Sequence, residues 1–260
     1  MAFKLGDIVI DRIQMAMAED FSGNPLYVLT QLADATIDIT AEAKEAKDKD
    51  GTLIKKFWQG KAGTFTANNA MLNLNVVASG SGSDAELASA TAQITMPKII
   101  TVAAGSTVTL SNYVDGTVKV NALATNGSMG QAYEKAAQAS DTEFGLTTAG
   151  VFTPPTDVNE TQYVVRYDRK VSEGAVIKNK ADKFPGTIRL LIKALAVDPC
   201  SADTLKSCYI YLKSFQVSPE TSISLQTDAQ LEYKGDLQCD YCSIDKTLYE
   251  FYWADEDVED

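Results

Sequence analysis

Short runs rich in Val, Ile, Thr, Tyr and Phe succeed one another along this chain, each closed off by Gly, Asn, Asp or Pro. That spacing suits strands of about 4–8 residues and leaves little room for long helices. The fold class it predicts is all-β, mainly antiparallel, a β-sandwich or a barrel-forming sheet with one short flanking helix and space for an extra β insertion. Thr36–Glu42 shows the pattern well, with Ile37, Ile39 and Ala41 on one face and Thr36, Asp38, Thr40 and Glu42 on the other.

Local signals divide the chain further. Residues 1–25 lack sustained periodicity and end at Asn24-Pro25, which predicts an N-terminal arm. Residues 26–96 form the first half of a β domain. Within it, the mixed-charge run from Ala43, the Asp50-Gly51 turn and the strand from Leu53 predict a long hairpin over 43–56. Lys61–Ala67 reads as a return strand and Met71–Val77, with alternating Leu72, Leu74 and Val76, as another; Ser79–Asp84 is the best internal boundary. One helical turn is expected near Leu87–Ala90. Residues 97–168 read as an insertion or additional β segment, with strands at Ile99–Ala103, Thr107–Leu110, Thr117–Val120 and Gln162–Tyr167. The short helix is predicted there, from a capping-box spacing at Ser128 and helix formers through Ala139. Residues 169–253 read as an antiparallel meander with strands at Thr187–Ala194, Tyr209–Phe215, Ser222–Gln226, Leu231–Leu237 and Leu248–Trp253, and 254–260 as an acidic tail.

Composition narrows the function. The 260 residues include no histidine, the side chain best suited to proton transfer near neutral pH, and no catalytic triad or phosphate-binding glycine loop is present. The chain is therefore read as no enzyme. Asp and Glu number 35 against 23 Lys and Arg, a net charge of −12, which argues against specific nucleic-acid binding because phosphate contacts need clustered cations. No apolar run reaches the length of a membrane span, and Met1–Asp7 lacks the pattern of a secretory signal, so synthesis in a cytoplasm without membrane insertion is expected. Cys200, Cys208, Cys239 and Cys242 are the one candidate metal set: the meander brings both pairs to one end of a sheet, which allows a structural zinc, or else four reduced thiols. No other cofactor is called for. Phe57, Trp58, Tyr249, Phe251, Tyr252 and Trp253 serve as core or interface anchors, or as a sugar-binding platform.

The alternating strand Thr36–Glu42, the charged hairpin Lys44–Lys56, the return strand Lys61–Thr66, and the late Ser222–Leu225 and Leu231–Gly235 pair together resemble the tail tube proteins of bacterial viruses and their relatives in contractile injection systems. The resemblance implies a virion protein assembled in the host cytoplasm. Six copies would close into a ring, and rings would stack with other virion proteins into a tube whose acidic lumen passes DNA without binding it. It also implies that a hairpin reaches the adjacent ring, which makes Lys44, Glu45, Lys47, Asp48, Lys49, Asp50, Gly51, Lys55 and Lys56 the candidate inter-ring contact. Two other readings suit an acidic β-rich chain: a capsid decoration protein, and a carbohydrate-binding or adhesin module using the aromatics above.

Overall fold

The computed structural model describes residues 6–199, 204–227, 230–239 and 246–258, and the chain divides into two compact units, Met1–Ala85 with Ile177–Asp260, and Glu86–Val176. The first unit opens with β1 (Val9–Glu19), β2 (Pro25–Leu29), β3 (Leu32–Lys47), β4 (Leu53–Asn69) and helix α1 (Leu74–Ser81). The second holds β5 (Glu86–Leu87), β6 (Ile94–Ala103), β7 (Val108–Thr109), β8 (Lys119–Leu123), β9 (Met129–Ala136), β10 (Glu143–Leu146), β11 (Val151–Thr153), β12 (Gln162–Val171) and β13 (Ala175–Val176). The first unit then resumes with β14 (Thr187–Val197), β15 (Lys206–Val217), β16 (Leu231–Leu237) and β17 (Glu250–Val258). The protein is all-β with one short helix, and among the described residues no helix is long and apolar enough to cross a membrane.

The sheet of the first unit runs β2-β1-β14-β15-β16-β4-β3, with β17 paired to β15. Its two terminal strands, β2 and β3, are consecutive in the chain and separated only by Thr30 and Gln31. A sheet whose ends are joined by two residues has to curl until they meet, and the result is a nearly closed barrel. Phe65, Phe215 and Tyr233 pack as its aromatic centre, with ring centroids 5.7–6.4 Å apart. Leu190, Ile192, Leu212 and Val76 of α1 complete that core.

Five local expectations are corrected. The N-terminal segment is no free arm, because β1 lies between β2 and β14 with Ala16 and Ala18 fully buried. Inward alanines carry so little hydrophobic signal that the alternation of Met15-Ala16-Met17-Ala18 is easily passed over. The helix is at Leu74–Ser81, where a strand was expected; Asn73 caps its start by accepting from the Asn75 amide, and Gly82 ends it in the left-handed conformation. The expected helix from Ser128 is instead β9, antiparallel to β8 and parallel to β10. Ser222–Gln226 joins no strand, and the expected turn of helix at Leu87–Ala90 is the end of β5 and irregular chain.

In the second unit the sheet order is β6-β12-β8-β9-β10-β11-β7, and the expected insertion 97–168 lies within this unit. Its core is separate from that of the barrel, built on Tyr133, Phe144, Phe152, Tyr163, Val165 and Tyr167. Tyr163 hydroxyl donates to the Pro155 carbonyl at 3.1 Å, and Tyr133 hydroxyl donates to the Asp157 carboxylate at 3.0 Å, so the phenols that enter this core keep hydrogen-bond partners. The short β5 and β13 pair as Leu87 with Ala175 and Glu86 with Val176, which brings the two ends of the unit together.

Candidate assembly surfaces

β3 and β4, at 16 and 17 residues, are the longest elements of the chain. They pair with each other along almost their whole length, but β16 supports β4 only from Gly63, opposite Leu237, to Asn69, opposite Leu231. The ten residues Leu53–Ala62 and their partners on β3 therefore form a two-stranded ribbon that no third strand joins among the described residues, extending about 30 Å beyond the end of β16. Every residue from 53 to 62 is exposed.

Hydrogen bonds close the turn at the ribbon's tip. Asp48 Oδ1 accepts from the amides of Asp50 at 2.9 Å and Thr52 at 2.8 Å, and Gly51, at φ 84°, supplies the left-handed position that closes the turn. Opposed residues share a face, so Trp58 lies with Ala43, Lys56 with Glu45, and Phe57 with Lys44 on the reverse side. On the first face the Lys56 ammonium stands 4.8 Å from the centre of the Trp58 ring and 3.7 Å from Glu45, which also meets Lys47 at 3.2 Å. All nine expected contact residues, Lys44, Glu45, Lys47, Asp48, Lys49, Asp50, Gly51, Lys55 and Lys56, thus fall on one hairpin. The sequence reading of Phe57 and Trp58 as core or interface anchors leaves out Leu53 and Ile54, and all four side chains are half or more exposed on this surface.

Other expected sites are not assembled. Phe57 and Trp58 face opposite sides of the ribbon, and Phe251, Tyr252 and Trp253 alternate along β17, so the aromatics form no single platform. Tyr252 hydroxyl donates to Glu250, which also meets Lys213 at 2.5 Å; the Lys213 bond, then the Tyr252 bond, hold the Glu250 carboxyl below the usual carboxylate range. Cys200 and Cys242 lie outside the described residues. Cys208 is buried against Ala194 and Ala196, whereas Cys239 is exposed beyond Gln238, whose amide donates to Ser214. Six residues of extended strand separate Ser214 from Cys208, about 20 Å, so these two thiols do not meet. Among the described residues no three potential ligands cluster.

A barrel that ends in an uncovered two-stranded ribbon is the form of a subunit completed by others, since an isolated hairpin is marginally stable in water and an open strand edge invites pairing. The chain belongs to the YomU/Tube protein family, whose model matches residues 7–241, from just before β1 to just beyond β16. It is accordingly a structural protein of the phage tail tube and a component of the virion. A search of curated proteins returned no match.

Proposed function

We propose that copies of this chain close into hexameric rings and that the rings stack into a hollow tube, with the β3–β4 ribbon crossing from each ring to the next. The observation that carries this reading is the ribbon itself: ten residues of β4 and their β3 partners, hydrogen-bonded as a pair yet exposed on both faces. Closure into a ring also covers the edge of β17 that pairs with no strand among the described residues.

An acidic lumen suits the same reading. On the outward face of β3, β4 and β16, Asp38, Thr64 and Asp236 stand in one row, with Thr36, Thr66 and Lys234 in the next. A wall of carboxylates and hydroxyls repels phosphate, whereas a basic wall would bind and retain it. DNA then meets the protein only in transit, and assembly takes place in the host cytoplasm.

Negative-stain electron microscopy of the purified chain tests the proposal. Hollow tubes or six-membered rings are expected, and deletion of Ala46–Thr52 leaves folded subunits or single rings that do not elongate. Tubes of normal length from that deletion would remove the ribbon from the joint, and trimers or monomers that bind capsid shells would assign the chain to decoration of the head instead.

A further inference from the structure

Resting on that reading, we infer that the ribbon's receptor is the groove between β2 and α1 of a second copy. Polarity decides that the contact is between copies. β4 runs from the turn at Asp48–Thr52 to Asn69, and α1 follows four residues later, so the ribbon tip and α1 lie at opposite ends of the same strand. Its 17 residues span about 55 Å, too far for a ribbon to reach its own groove. A tip-to-groove contact is heterologous, and repetition in one direction builds an open filament.

The two surfaces match in chemistry. Between Thr40 and Ala62 the ribbon carries six lysines against Glu42, Glu45, Asp48 and Asp50, a basic island in a chain of net charge −12. Of the side chains that line the groove, Asp84 is the one that carries a charge, and neither Lys nor Arg is among them. Arg189, from β14, packs over the Phe21 ring at 5.4 Å, at the β1–β2 turn rather than in the groove. Apolar groups correspond as well. Leu53, Ile54, Phe57 and Trp58 of the ribbon are uncovered, and so are Leu26, Met71, Leu72 and Leu74 of the corner, each half or more exposed. The groove holds about 350 Å³ and is lined by Leu26, Tyr27, Asn75, Ser79, Asp84 and Ile188. The Ala70 amide donates to the Gln31 carbonyl at 3.0 Å and the Asn69 side chain donates to the Met71 carbonyl at 2.5 Å, which ties the corner to the barrel before any partner arrives. A groove that carries Asp84 and no cation, beside the exposed Leu26, Met71, Leu72 and Leu74, is suited to a basic ribbon with apolar side chains, because charge and apolar surface are matched on the two sides.

The test is a photo-crosslink in the full chain with p-benzoylphenylalanine placed at Phe57, an aromatic-for-aromatic change at an exposed site. Irradiation of assembled protein is expected to give a two-chain product joined within residues 70–85 or at Leu26. Two-chain products joined only elsewhere, from protein that still forms tubes, would overturn the groove as receptor and leave the tube reading standing. Protein that never assembles at any concentration would refute the tube reading itself. As a second measurement, Leu72→Asp with Leu74→Asp is expected to keep the parent's thermal melt and raise the concentration needed for elongation at least tenfold; unchanged elongation overturns the inference.

Discussion

Gly235 shows how closely the barrel core is fitted. A methyl group there would stand 2.2 Å from the Gln216 carbonyl oxygen and 2.6 Å from the Phe215 ring, and that ring is held edge-on by Phe65. Backbone on one side and a locked aromatic on the other leave nothing that can move aside cheaply, so Gly235→Ala is expected to cost about 2–3 kcal/mol, read as a shift in the urea midpoint. The same core contains a titration device. Tyr27 and Tyr233 hydroxyls share a hydrogen bond of 2.9 Å, and burial, the largest cause for each, pushes both phenols above their ordinary value of 10. Above pH 10 the unfolded chain releases protons that the folded barrel retains. Stability from these groups is therefore fully present below pH 10 and falls as the pH rises further, by about 1.4 kcal/mol per pH unit for each retained proton. Urea midpoints measured across pH 8–11.5 check the sign, and in Tyr233→Phe the alkaline slope should be shallower than in the parent.

Among the elements, the ribbon separates folding from assembly. Phe57 and Trp58 are 56% and 65% exposed, so Phe57→Ser with Trp58→Ser should alter subunit stability by no more than about 0.5 kcal/mol while preventing elongation. Thermal melts and sedimentation velocity on the same sample measure both halves of that expectation. The hairpin was legible from sequence because charge, alternation and an Asp-Gly turn agree over more than twenty residues. Two other elements were not. Met71–Val77 alternates as a strand would, and nothing in its composition declares that Asn73 and Gly82 cap a helix there, of which Val76, Gly80 and Ser81 are the buried residues. Around Ser128 the helix formers outweighed a truer signal, Asn126-Gly127, which closes the β8–β9 hairpin with Leu123 opposite Met129. There long-range pairing overrides propensity: Gly130 sits where a Cβ would meet Ala122 at 2.9 Å, and Tyr133 is buried against Tyr163. The receptor groove was invisible for the same reason, since it joins residues near 26, 75 and 188 that only barrel closure brings together.

At the scale of the whole molecule, the second unit interrupts the barrel at a single place. The chain leaves after Ala85 and returns at Ile177, and the two crossings are adjacent because β5 and β13 pair residue for residue, Glu86 with Val176. Paired antiparallel residues have Cα atoms about 5 Å apart, a gap that two or three glycines span without strain. The two cores share no residue: the barrel is filled by Phe65, Phe215 and Tyr233, the second unit by Tyr163, Phe144 and Phe152. The ribbon and the groove both belong to the barrel. It follows that replacing Glu86–Val176 with a short glycine linker should leave a barrel that unfolds in one cooperative transition and still elongates into tubes. Calorimetry and electron microscopy of that variant decide the matter. A folded barrel that no longer assembles would give the second unit a share in the joint, and a chain that fails to fold would show that the barrel depends on its insertion.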